Sequence, residues 1–210
     1  MGAHFANLQT LSNEFDYIKL LDLFKNYARP RDQITKLIRS KAIIRVKKGI
    51  YVHGTEFRKP YSLEILGNII YGPSYVSGLS ALSYYGLIPE RLSVLSSHTP
   101  NRNKVFDTPV GRFTYDFLRM KLYQVSVDRA ELDAERTFLI ATREKALVET
   151  LTQVEGIAST GDLRDWFDSM RVDVDVLPKL RVGELRMLGQ VFQDHRIELL
   201  IEQVRKAKNA

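Results

Sequence analysis

Three observations predict an α+β fold for this chain. A basic helix-forming segment passes directly into a short β-prone hairpin within residues 29–52. Apolar and polar residues alternate in strand fashion across 92–141. Helical periodicity then returns and holds through the last third.

A first helix is expected from Asn13 to Tyr27. Ser12 or Asn13 can cap it, and Phe15, Ile18, Leu21 and Phe24 recur at helical spacing. The stretch RPRDQITKLIRSKAIIRVKKGIYV follows, Arg29 to Val52. Pro30 suits a first helical turn, and Ile34, Leu37, Ile38 and Ala42 share one helix face. Ile43, Ile44 and Val46, a Lys47-Lys48-Gly49 turn, and Ile50, Tyr51 and Val52 then read as a hairpin. A basic helix followed at once by a basic hairpin is the order of a winged helix-turn-helix. There the helix enters the DNA major groove and the wing lies along the backbone. Off the packing face stand Arg31, Gln33, Thr35, Lys36, Arg39, Lys41, Arg45, Lys47 and Lys48. These are phosphate-binding and base-reading residue types, so they are the expected contacts to double-stranded DNA.

The connector His53 to Pro60 marks a domain boundary, giving 1–60 and 61–210. Tyr61 to Tyr71 reads as a helix with Leu63, Leu66, Ile69 and Ile70 apolar, ended by Gly72-Pro73. Ser74 is expected to cap a short helix of small residues that Gly86 stops. Strands are expected around Leu92–Ser97, Phe113–Phe117, Tyr123–Val127 and Thr137–Ala141, with a turn at Asn101–Lys104. Thr142 caps the next helix, in which Ala146, Leu147 and Leu151 pack and Glu144 complements the dipole. Leu163, Trp166 and Phe167 mark another. Leu185, Leu188 and Phe192, then Ile197, Leu200, Ile201 and Val204, form a closing pair broken near Asp194-His195. The whole is a winged helix-turn-helix followed by a mixed α+β domain with a helical C-terminus.

The formal net charge of +6 is unevenly spread. Residues 1–60 hold 12 Lys+Arg against 5 Asp+Glu, a local +7, whereas residues 127–210 hold 13 against 16. Clustered positive charge is the electrostatic footprint of a nucleic-acid binder. The chain has no cysteine, which excludes disulfides and thiolate metal sites and suits a cytoplasmic protein. No apolar run approaches the roughly 20 residues of a membrane span.

No local motif supports an enzyme or calls for a metal or cofactor. His4, His53, His98 and His195 are scattered and none lies in an HExxH pattern. The glycines form neither a P-loop nor a dinucleotide fingerprint. There is no Glu-X-Lys triplet, and Ser77 lacks the preceding glycine of a nucleophile elbow. Asp173 and Asp175 sit in a VDVDV stretch that reads as a short strand or turn.

Four stretches carry a likeness to a known family: KKGIYV at 47–52, YVSGLSALSYYGLIPE at 75–90, TPNRNKVFDTPVGRFTY at 99–115 and ATREKALVETL at 141–151. In order and spacing the chain resembles the AbiEi-like antitoxins, partners of nucleotidyltransferase toxins in abortive-infection and toxin–antitoxin operons. The resemblance implies a DNA-binding winged helix that represses the operon promoter and a C-terminal domain that counters the toxin. Where such a protein would have a small-residue turn before its recognition helix, this chain has Asn26-Tyr27-Ala28-Arg29-Pro30. His98, Arg102, Lys104 and Arg112 are then a candidate toxin-countering surface, positive enough to contact nucleic acid or an acidic face of the toxin, or else the solvated tip of a hairpin. Two functions are expected candidates: an antitoxin that represses its own promoter, and a toxin-neutralising interaction module without specific DNA binding.

Overall fold

The computed structural model describes residues 8–57, 59–90 and 92–209. Residues 1–7 of the expected first domain lie outside these. The chain is mixed α+β, with a three-stranded and a six-stranded sheet.

The N-terminal unit opens on a strand, β1 (Glu14–Asp16), and not on the long helix expected from residue 13. The helical spacing of Phe15, Ile18, Leu21 and Phe24 is not used as one stripe: Ile18 is 75% exposed. Phe15 instead pairs across strands and packs on Tyr51 and His53. Asp16 ends the strand and starts helix α1 (Tyr17–Leu23), its side chain accepting from the Lys19 N–H at 2.8 Å. Helix α2 (Pro30–Arg39) follows with Pro30 in its first turn and Ile34 and Leu37 buried. Strands β2 (Ile43–Lys47) and β3 (Ile50–His53) form the expected tight hairpin. The sheet is ordered β1-β3-β2, all antiparallel.

Alternation along β3 divides the core. Tyr51 joins Phe15, Leu20, Phe24, Ile34, Leu37 and Ile43 in a cluster drawn from residues 8–57. Val52, with Val46 of β2, faces the other way and belongs to the main core, which runs on to Val204. The small sheet is thus a shared wall between two apolar clusters.

The body is built on a mixed sheet. Its strands are β4 (Tyr75–Val76), β5 (Val94–Thr99), β6 (Lys104–Thr108), β7 (Gly111–Phe117), β8 (Val127–Glu131) and β9 (Thr137–Ala141), in the order β6-β7-β5-β4-β9-β8. The β5–β7 and β4–β9 pairs are parallel and the rest antiparallel. Helix α3 (Leu63–Ile70) lies on the face that carries Leu95 and Tyr115. Gly67 permits that approach: a Cβ there would stand 2.2 Å from Leu95 Cδ2, and the Tyr115 hydroxyl donates to the Gly67 carbonyl at 2.7 Å. Helix α4 (Gly78–Tyr84) lies against the opposite face of β5 at Ser96, whose hydroxyl donates to the Ser77 carbonyl at 2.7 Å.

Two local expectations change here. Tyr75 and Val76 are strand and not helix, because both side chains are fully buried beside β5; α4 begins only after Ser77. Tyr123 ends a short helix, α5 (Met120–Tyr123), and β8 begins later, at Val127. Helices α6 (Arg143–Leu151), α7 (Thr160–Ser169), α8 (Val182–Phe192) and α9 (Arg196–Asn209) close the structure. Thr142 caps α6 as expected, accepting from the Lys145 N–H. The VDVDV stretch is neither strand nor turn but the start of a 3-10 segment, Val174–Lys179, that Asp173 caps. Among the described residues no helix is long and apolar enough to cross a membrane.

Candidate functional site

Helix α2 buries one side and leaves a basic side in water. Arg31, Thr35 and Arg39 follow one another at i, i+4 and i+8, with Lys36 beside them, and all four are exposed. Gln33 is half-buried. The Thr35 hydroxyl donates to the Arg31 carbonyl at 3.0 Å, which leaves its oxygen able to accept. Lys41 is exposed just past the helix in the left-handed region, φ 58°. Arg45 and Lys48 are exposed on the hairpin, whose turn needs Gly49 at φ 92°. Arg31, Lys36, Arg39, Lys41, Arg45 and Lys48 enter no ion pair among the described residues.

Lys47 departs from this set. Its ammonium turns into the body, donates to the Ile70 carbonyl at 2.7 Å and lies 4.4 Å above the Phe106 ring. It fastens the hairpin to α3 and β6, so it is not available as a surface cation. Glu14 makes a second tie between unit and body. It accepts from the Ser62 N–H at 2.6 Å and faces Arg136 at 3.5 Å, and its burial raises the carboxyl above the usual range.

The four body candidates do not form one surface. Arg102 is exposed before β6, and Lys104 begins that strand. Arg112 sits at the far end of the β6–β7 hairpin, opposite Asp107, with which it pairs at 3.5 Å. Lys104 stands opposite Tyr115, three residues from Arg112 along β7, or roughly 10 Å at strand rise. The turn of this hairpin is Pro109-Val110 and not Asn101–Lys104. His98 is no surface residue at all: it is 4% exposed in β5.

His98 belongs instead to a buried polar cluster that the sequence reading missed. Its Nδ1–H donates to Glu149 Oε2 at 3.1 Å. The same carboxylate accepts from the Tyr75 hydroxyl at 2.6 Å and from the Ser77 hydroxyl. Lys145, one helical turn before Glu149, is 3.6 Å from Oε1. Lys145 also donates to the carbonyls of Leu122, Tyr123 and Val125 and sits over the Tyr75 ring. Burial works to raise the Glu149 pKa, but His98, Lys145 and Ser77 together hold it below the usual carboxylate range. Burial lowers Lys145 to about 8. Helical spacing had marked Ala146, Leu147 and Leu151 as core, and they are; that Lys145 and Glu149 join them depends on β5 and the C-terminal end of α5 arriving from elsewhere.

Among the described residues no three His, Asp or Glu side chains come together as a metal site. Compared with protein-family models and with curated proteins, the chain finds no match.

Proposed function

We propose that this protein is an antitoxin of the AbiEi-like kind, acting in the cytoplasm without chemistry of its own. Its N-terminal unit, read as a winged helix, binds the operon's promoter as double-stranded DNA, and its body counters a cognate nucleotidyltransferase toxin. The observation that carries the reading is the N-terminal order: strand, helix, helix, strand, strand, with sheet order β1-β3-β2 and a stripe of exposed cations on the second helix. A helix so placed offers Arg31, Gln33, Thr35 and Lys36 to base edges, and Arg39, Lys41, Arg45 and Lys48 to phosphates. The four stretches of family likeness support the second half of the reading.

A mobility-shift titration with the native promoter tests it. Retardation at low salt is expected, weakening linearly in log affinity against log salt. No retardation at low salt overturns the repressor function.

A second reading is favoured by the inward turn of Lys47: the N-terminal unit is fixed on the body and serves as part of a toxin-neutralising interaction module without specific DNA binding. Loss of rescue from the toxin in a variant with Arg31, Lys36 and Arg39 reversed in charge, together with equal retardation of promoter and unrelated DNA by the unaltered protein, would favour that reading.

A further inference from the structure

The body carries a cleft of about 410 Å³ at the start of α4, against the faces of β5 and β7 that lie on the α4 side of the sheet. Leu79, Leu92 and Val94 make its apolar wall; His98, Thr114 and Asp116 stand among its polar groups.

Behind this wall Glu149, held below the usual carboxylate range by the groups around it, acts as an acceptor, so the ring nitrogen facing it is the one that carries a proton. In the neutral ring Nε2 is then an acceptor. It has no partner among the described residues, yet it is not one of the atoms sealed from solvent. The ring as a whole is more than nine-tenths buried and lines the cleft. A buried imidazole held from behind by a carboxylate and open in front is an oriented acceptor.

Asp116 is the second acceptor. The parallel register of β5 and β7 sets it beside His98, roughly 4.8 Å away in backbone, on the same face. It is exposed and enters no ion pair among the described residues. Lys145 balances Glu149 inside the protein, and no described lysine or arginine lines the cleft. The opening therefore presents acceptors and one uncompensated negative charge in front of an aliphatic wall.

We propose that this cleft is a binding site for a small aliphatic cation, a primary amine or guanidinium. Its N–H groups donate to Asp116 and to His98 Nε2, and its methylene stem lies on Leu79, Leu92 and Val94. The volume suits a ligand of that size. Phosphate-bearing ligands are disfavoured, since they would meet Asp116 with no cation to offset it. The site is independent of the basic surface on α2 and of the DNA-binding reading.

Isothermal titration of the full-length chain with agmatine and with spermidine tests the site, with adenosine monophosphate as the anionic control. NMR of the His98 ring nitrogens reports where binding occurs. Saturable binding of an amine probe is expected, with a shift at Nε2 and no binding of the nucleotide. Asp116→Asn should weaken it about tenfold or more, through loss of a charge-assisted hydrogen bond, and leave thermal unfolding unchanged. His98→Asn retains a donor for Glu149 and should also lose binding; if that variant fails to fold, Asp116→Asn decides alone. Absence of binding by both amines at millimolar concentration, unchanged affinity in Asp116→Asn, or equal binding of the nucleotide overturns the proposal.

Discussion

Lys145 holds its ammonium fully buried, and three backbone carbonyls at and just after the end of α5, one carboxylate and one aromatic ring take water's place. Removing one partner of such a pair leaves the other charge buried and uncompensated. Lys145→Ala should therefore destabilise by about 3–5 kcal/mol, and Glu149→Ala by a similar amount. The double change Lys145→Ala, Glu149→Ala should cost less than the two single changes together. Denaturant unfolding of the four proteins checks this; additive costs would mean that the pair is not coupled. Lys47 and Lys48 offer a second contrast between neighbours. Lys48→Ala should lower the salt slope of DNA binding by about one, whereas Lys47→Ala should leave that slope alone and lower the unfolding midpoint. The sequence made the two lysines look equivalent, because their difference lies in Ile70 and Phe106, far along the chain. His98 misled for the same reason: a histidine beside a basic hairpin reads as surface until Glu149 is placed behind it.

At the level of elements, local signals did well where one face of an element meets one neighbour. Helix α2, the β2–β3 hairpin, β9, α6 and the α8–α9 pair were all legible from capping residues, turn glycine and periodicity. β1 and β4 were not. Each is too short to show alternation, and each is strand only because a distant partner, β3 or β5, supplies its ladder. The polar cluster was illegible at this scale too, since its members come from β4, β5 and α6. Gly54 tests how closely the elements of the N-terminal unit are joined. Its N–H donates to the Ala42 carbonyl at 2.8 Å, and a Cβ there would stand 2.0 Å from the Lys41 carbonyl oxygen. Gly54→Ala should force the end of β3 away from the exit of α2 and cost about 1–3 kcal/mol. Promoter affinity should fall with it, while the His98 ring signals stay unchanged. Thermal melts and NMR read both; an unshifted melting point would show that the contact yields freely.

Across the whole molecule, ionised carboxylates tie elements together. Glu144 is held below the usual range, its burial outweighed by hydrogen bonds from Arg181; Glu149 by the partners already described; Asp194 by Arg196. For each, the unfolded chain takes up a proton first as pH falls, so protons favour the unfolded state. Their contribution is complete above their ordinary values, 4.5 for the two glutamates and 3.8 for Asp194, and is lost as pH drops through the lower folded values. Glu14 runs the other way, its burial costing stability once it ionises. With the exposed Asp133 and Asp162 also lowered, five carboxylates against one predict a melting temperature that declines steeply below pH 4.5, and a shallower decline in Glu144→Gln; a flat profile down to pH 3 would refute it. Charge asymmetry divided the chain into a basic and a mildly acidic part, yet the shared wall at Val46 and Val52 could not be read from it. That wall sets the bearing of the molecule. A duplex gripped by α2 would not swing on a tether; it would set the heading of everything beyond residue 60, so the mouth beside His98 would point in one direction relative to the groove. Lengthening the connector at 59–60 would change that heading little, because orientation is kept by the Lys47 and Glu14 ties and not by the covalent link.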